Sequence, residues 1–463
     1  MTKTEIQNVQ PAVSDIRNWR FRFVSYFVFR ISCFAFSCGL VVLSCSRVCD
    51  AGDWRHFRGT DNTSVSSETN LPTRFGPTEN VAWKAPLPGT GPSSPIVVAG
   101  RVIVTAATGP RQERLHVLCL DAATGRLRWE RRLWATGATL CNPFGGVAAP
   151  TPASDGRLVF AFFSSNDLAC FDLDGNLQWL RGLGYESPTT RNDVGMASSP
   201  LVVGDTVIVQ LEDPGKSFVM GIDAANGRTR WQIDRAWEPT WTSPTLLRVG
   251  SPAQEIALVQ SRSRLTGVAP RTGKVAFDYE AGCSTLSSPT TSGDCIYLAA
   301  GGLSALRYDP ARRGLEVLWK ESRLRCENVS PVVHDGRAYA VRDSGILVCG
   351  DAAGGKVLWQ LRLKGPIWAT PVIAGGRLYA VSYEGLVQVV QLGNEGTLVG
   401  KGQIDSGILA SPAVADGAIY FRSNRFLWRM AVSRQQSAIS SQQSAISQDE
   451  HQAALSPRIP DPR

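Results

Sequence analysis

The chain has 463 residues, 43% hydrophobic and 19% charged, with a formal net charge of +8. The first 50 residues carry +3 of that charge, six Lys and Arg against three Asp and Glu, and residues 434–463 carry none. What remains is mildly basic without a run of Lys or Arg, which excludes nucleic acid as an expected partner, and its apolar content is ample for a folded core.

In chain order, Arg17, Arg20, Arg22 and Arg30 precede an apolar run from Ile31 to Cys45 and a small-residue exit at Cys49-Asp50-Ala51. At fifteen residues this run falls short of the ~20 that span a bilayer, so residues 1–51 read as a secretory signal peptide and the protein as exported. The alternative is an N-terminal membrane anchor that recruits Phe21 to Phe29, with Arg30 then in mid-span. Val42-Leu43-Ser44-Cys45 approximates a lipid-attachment box with its leucine one place late. A membrane contact is expected only through this segment or such a lipid. Residues 52–79 open on Asp53-Trp54-Arg55-His56-Phe57-Arg58-Gly59 and have few aliphatic residues before Leu71. They are expected to pack on the domain that follows rather than to form a core of their own.

From residue 80 to 433 a small residue plus proline, then an apolar strand, recurs eight times, at Pro95, Pro152, Pro200, Pro244, Pro289, Pro331, Pro371 and Pro412. The gaps of 57, 48, 44, 45, 42, 40 and 41 residues are those of β-propeller blades. Each unit continues with a hairpin signal, as in His334-Asp335-Gly336, and then a third strand ending in Asp. A glycine turn and an aromatic follow: Asp121 to Gly125 then Trp129, Asp223 to Gly227 then Trp231, Gly175 then Trp179, Gly355 then Trp359, and Gly273 then Phe277. The aromatic is placed to bury apolar area against the next blade. The last unit has room for about three strands, and Val81-Ala82-Trp83-Lys84-Ala85-Pro86 carries a tryptophan in the blade-ending register. The fold expected is all-β: an eight-bladed propeller of four-stranded antiparallel blades, the last closed by this N-terminal strand. Residues 434–463 repeat QQSAIS at Gln435 and Gln442 and are expected to be a disordered low-complexity tail.

Seven of the eleven cysteines lie beyond residue 51. An odd, dispersed set does not make a disulfide framework. Cys119, Cys170 and Cys349 share a third-strand position and are expected in the core. Cys141, Cys283 and Cys326 fall in loops, where exposure is expected, and Cys283 with Cys326 is the pair to examine.

The Ser-Pro strand and the Asp-x-x-Thr-Gly-x-x-x-Trp unit resemble the pyrroloquinoline-quinone-type (PQQ-like) β-propeller repeat over about 350 residues. Asp121 to Trp129 and Asp223 to Trp231 carry the likeness best. The opening Trp54 to Gly59 and Asn80 to Lys84 look like the BamB-like exported propellers of planctomycete-type bacteria. The resemblance implies two kinds of function. One is a non-catalytic binding or scaffold module at the cell envelope, which takes a protein or envelope component through one propeller face and carries no cofactor. The other is a periplasmic quinoprotein that oxidises an alcohol or sugar with PQQ and Ca²⁺. The chain has no Cys-Cys pair and no Cys-x-x-Cys-His, which two branches of the quinoproteins use. The scaffold is therefore the expected function.

A site, if present, is expected where the loops entering the innermost strands converge on one face. Candidate residues there for holding a cofactor are Asn142, Arg191, Trp237, Trp241, Thr242, Arg325 and Trp368, the tryptophans because they stack on a flat ring. Glu238, Glu327 and Asn328 offer oxygen ligands for Ca²⁺. Asp193, Glu238 and Glu327 are the candidate bases of a quinoprotein. The same residues also suit a solvated channel mouth plugged by its tryptophans.

Overall fold

A computed structural model describes residues 52–142, 144–187, 194–212 and 215–432. The expected signal peptide or anchor, Cys45, and residues 434–463 lie outside the described residues. So do Arg191 and Asp193.

Eight antiparallel sheets follow one another along the chain. Blade 1 comprises Ile96–Val98, Arg101–Thr108, Arg114–Asp121 and Leu127–Trp134, and six further blades repeat this order through Thr397–Gln403 in blade 7. Blade 8 takes three strands, Ala413–Ala415, Ala418–Arg422 and Phe426–Ala431, from the end of the propeller. Its fourth is Val81–Pro86, antiparallel to Phe426–Ala431 with Trp83 opposite Arg429. This pairing joins the first and last strands of the propeller and satisfies an edge that a three-stranded blade would leave open. The one helix among the described residues is Leu183–Glu186, and no helix there is long and apolar enough to cross a membrane.

Two repeated devices hold neighbouring blades together, and both are encoded by the repeat. The first uses the outer-strand tryptophan. Trp83, Trp129, Trp179, Trp231 and Trp319 each donate Nε1–H to a carbonyl of the next blade, on Ala122, Leu173, Ala224, Pro270 and Ala352 at 2.8–3.0 Å. The indole lies on the turn glycine of that next blade. At Gly125, where φ is +71°, a Cβ would come within 2.6 Å of the Trp83 ring, so this turn needs glycine for both its backbone and its space.

The second device uses the residue before each repeat proline. The amide of Ser94 donates to Thr151 Oγ1 at 2.9 Å, and the same bond runs Thr151 to Ser199, Ser199 to Ser243, Ser243 to Ser288, Ser288 to Ser330, Ser330 to Thr370 and Thr370 to Ser411, at 2.9–3.1 Å. Seven seams thus carry a side chain-to-backbone bond around the axis. At the eighth, Arg422 reaches the Ser93 carbonyl at 2.9 Å. A hydroxyl residue is needed because an inner-strand amide at this end has no ladder partner and would otherwise be a buried, unpaired donor.

Blade 7 breaks the tryptophan rule. Its outer strand places Gly400 opposite Val389, just before the register shift, where the other blades put tryptophan or phenylalanine. The segment ahead of the propeller covers the place. Phe75 bridges Gly402 and packs edge-on against Tyr379 and Phe421, with ring centroids 6.4 and 5.8 Å away. Earlier in that segment Trp54 pairs with Val97 of blade 1, and the Arg55 carbonyl accepts from Ser154 of blade 2. Arg58 donates to Pro289 O and Thr290 Oγ1 of blade 5, and Val65–Ser66 adds a parallel strand to blade 7.

Cys119, Cys170 and Cys349 are buried in the blades, and all seven described cysteines are free. Cys283 and Cys326 correct the sequence reading: both are buried, because Cys283 packs into the core between blades 4 and 5 and Cys326 into that between blades 5 and 6. Burial pushes each thiol up to about 12, which keeps both in the poorly reactive neutral form.

Candidate functional site at the channel mouth

The loops entering the inner strands meet at one end of the channel. Two positions before each Ser or Thr of the seam bonds, the eight blades contribute Pro92, Ala149, Ala197, Trp241, Leu286, Asn328, Trp368 and Leu409. Seven of these eight are apolar, so the throat is an apolar collar above a ring of hydroxyls.

Above the collar lies a chamber of about 390 Å³, walled further by Phe144, Gly145, Gly146, Val194 and Met196. Phe144 stacks on Trp368 at 6.2 Å with the planes 14° apart and meets Tyr383 edge-on at 6.2 Å. Below the collar a narrower space of about 160 Å³ is lined by the hydroxyl residues and reaches Phe57 of the N-terminal segment. Phe57 precedes Arg58, whose guanidinium is anchored in blade 5. The two spaces share seven of the eight collar residues, all but Asn328, so they form one funnel.

The sequence candidates divide between this funnel and its surroundings. Asn142, Trp241 and Trp368 line the upper chamber, and Asn328 lines the lower space. The Asn142 side-chain oxygen accepts from the Phe144 amide at 2.9 Å, which shapes the loop tip, and Trp241 Nε1 donates to Gly195 O at 2.6 Å. Thr242 is buried behind the wall and donates to Gln260 O at 3.0 Å. Trp237 stands on the rim, 73% exposed, and Arg325 is exposed as well.

The carboxylates are committed to their own loops. Glu238 Oε2 accepts from the Ser263 amide at 2.9 Å, and Glu327 Oε2 accepts from the Asp343 amide at 3.1 Å. Burial, then the neighbouring Glu327 carboxyl, pushes Asp343 above the usual carboxylate range, while Glu327, beside the Asp343 side chain and backbone amide, is lowered. No cluster of three His, Cys, Asp or Glu suited to a metal occurs among the described residues. The lining holds no charged side chain among them either. Among the described residues that set offers no counter-charge to a multiply anionic quinone and no carboxylate to a calcium ion.

Sequence reasoning missed two buried polar groups near the mouth. His116, 4% exposed, is held by Thr108 Oγ1 at 2.7 Å from Nε2 and by Glu130 at 2.6 Å from Nδ1, which satisfies both ring nitrogens across three strands of blade 1. Glu212, 2% exposed, pairs with Arg235 at 2.8 Å, directly before the loop that carries Trp237 and Trp241. No motif marks either one, because the partners lie on separate strands.

Burial pushes Glu212 up to about 7, against the pull of Arg235 and with a further push from Glu238. Between about pH 4.5 and 7 the native state therefore holds a proton that the unfolded chain gives up. Stability is expected to fall as pH rises through that window and to level off above it. Denaturant titrations across the window should show this slope, and Glu212→Gln should flatten it; an unchanged slope in the variant would rule out Glu212 as its source.

A family profile described as outer membrane protein assembly factor BamB matches residues 74–210, 190–282 and 215–443. No curated protein matches the chain. Among solved structures it is similar to BamB from Moraxella catarrhalis, at 16% identity and a TM-score of 0.56, over 76% of this chain and 98% of that one. It is also similar to a europium-containing methanol dehydrogenase, at 14% identity and a TM-score of 0.62, over 81% and 89% of the two chains. A quinohemoprotein alcohol dehydrogenase from Comamonas testosteroni gives 12% identity and a TM-score of 0.60, over 82% and 81%. At these identities the structural likeness establishes the fold alone.

Proposed function

The chain belongs to the PQQ-like β-propeller family whose profile is described as outer membrane protein assembly factor BamB, and from that premise we propose that it is an exported, non-catalytic binding module of the cell envelope. The observation that carries this reading is the chemistry of the mouth face. Leu140, Phe144, Tyr185, Trp237 and Trp368 are all exposed on the loops of this one face, around an apolar collar. Clustered exposed aromatics on rigidly held loops are the composition of a protein-binding surface, since they offer large contact area at small entropic cost. The opposite face is crossed by the N-terminal segment, which leaves the mouth as the binding face. The lining, without charged side chains among the described residues, speaks against the quinoprotein alternative.

Two measurements test the reading. A photo-crosslinker at position 237 should join the protein to one envelope partner, and Tyr185→Glu on the same face should abolish the crosslink while Leu177→Glu on the circumference should not. Mature protein mixed with PQQ, Ca²⁺ and an electron-accepting dye should show no alcohol oxidation. Quinone-dependent turnover, or crosslinks indifferent to the rim substitution, would overturn it.

A further inference from the structure

The funnel is built for something more specific than a flat protein contact. The seam hydroxyls of Thr151, Ser199, Ser243, Ser288, Ser330, Thr370 and Ser411 each accept an amide from the preceding blade, and a hydroxyl that accepts still has a hydrogen to donate. Among the described residues none of them donates to a protein acceptor. The residues line the lower space and keep 2–6% exposure, so each is open only to the channel. A ring of donors facing one axis, with no acceptor of its own, is matched by an accepting group on that axis. Directly above, Trp241, Leu286, Trp368 and Leu409 line an apolar chamber under the Phe144 side chain. Phe57, from the N-terminal segment that crosses the opposite face, lines the lower space, so the mouth is the entrance for an occupant.

We propose that the funnel binds one slender amphipathic molecule, with a single hydrogen-bond-accepting head at the hydroxyl ring and an aliphatic or aromatic body against Trp241, Leu286 and Trp368. A carboxylate and an alcohol or carbonyl head share the accepting chemistry. A cationic head is disfavoured, because the lining holds no anionic side chain among the described residues to offset its desolvation. The upper chamber, at about 390 Å³, is at the small end of the size range of ligand pockets, which suits one short chain rather than a lipid bilayer fragment or a folded domain.

This inference rests on the mouth being the binding face, and calorimetry with three ten-carbon probes tests it on the full mature protein. Decanoate and decanol should bind saturably with one molecule per chain, and decyltrimethylammonium at least about tenfold more weakly. Comparison of the first two tells whether an anionic or a neutral head is preferred. Ala149→Trp places an indole in the funnel wall and should abolish binding; Trp368→Ala, which touches no seam bond, should weaken it about tenfold or more. Absence of saturable binding of both decanoate and decanol up to roughly 1 mM, or full binding by Ala149→Trp, would overturn the proposal. The crosslink from position 237 separates the two readings. If it persists while the probes fail, the ligand site alone is wrong. If crosslink and probes both fail, the mouth is not the binding face.

Discussion

Trp83→Ala is expected to lower the unfolding free energy by ~3–5 kcal/mol, the range for truncating a large buried aromatic. Its effect should be localised. Trp83 sits on the strand that joins the two ends of the propeller, its Nε1 donates to Ala122 O at 2.9 Å, and its ring lies 6.0 Å from that of Tyr420. Removing the indole takes away the contact that holds blade 8 to blade 1 and the anchor that keeps Val81–Pro86 against Phe426–Ala431. Hydrogen exchange should therefore quicken first in these two strands, with blades 3 to 6 protected until global unfolding. Trp237→Ala is the control: that side chain is 73% exposed and its loss should fall within ~0.5 kcal/mol. A cost for Trp83→Ala below about 1 kcal/mol would mean that the ring does not depend on its closing strand.

Gly400→Ala should be nearly as damaging, for a different reason. Gly400 does not need positive φ, so alanine brings no backbone strain, but its Cβ would lie 1.9 Å from the Thr73 carbonyl oxygen. A backbone oxygen cannot yield as a flexible side chain can. The segment through Thr73 to Phe75 must then lift, and Phe75 leaves its contacts with Tyr379 and Phe421. Overpacking of this kind costs ~1–3 kcal/mol. The diagnostic result is faster tryptic cleavage at Arg74 in the variant. Gly393→Ala in the preceding turn, where a Cβ would meet nothing nearer than Glu395 O at 3.7 Å, should cleave like the parent. Unchanged proteolysis in Gly400→Ala would show that the N-terminal segment does not depend on this close approach.

The blade count and the closing strand were legible because their signals are local and repeated. A Ser or Thr before proline, a glycine turn and an aromatic four residues on recur in most units, and each describes a single hairpin. Trp83 was readable for the same reason: it sits in a strand whose register copies that of Trp129 and Trp231. The candidate site was legible only as a location. Asn142, Trp241, Asn328 and Trp368 do reach the funnel, yet the collar also contains Ala149, Ala197 and Leu409, which no motif distinguishes from ordinary core residues. Glu238 and Glu327 looked like ligands in a list of loop residues, but each carboxylate is taken by a backbone amide of a neighbouring loop. Cys283 and Cys326 were misjudged because a loop position was equated with exposure.

What the sequence by itself determined was the architecture: eight sheets, their strand order and the joining of the two ends, since short-range patterning and turn chemistry repeat at intervals of 40 to 57 residues. What only the tertiary structure decided was the character of the channel. A throat assembled from one residue of each of eight blades has no linear signature, and whether a hydroxyl faces a seam, a solvent-filled mouth or a side chain such as Phe57 depends on backbones brought together across more than 300 residues.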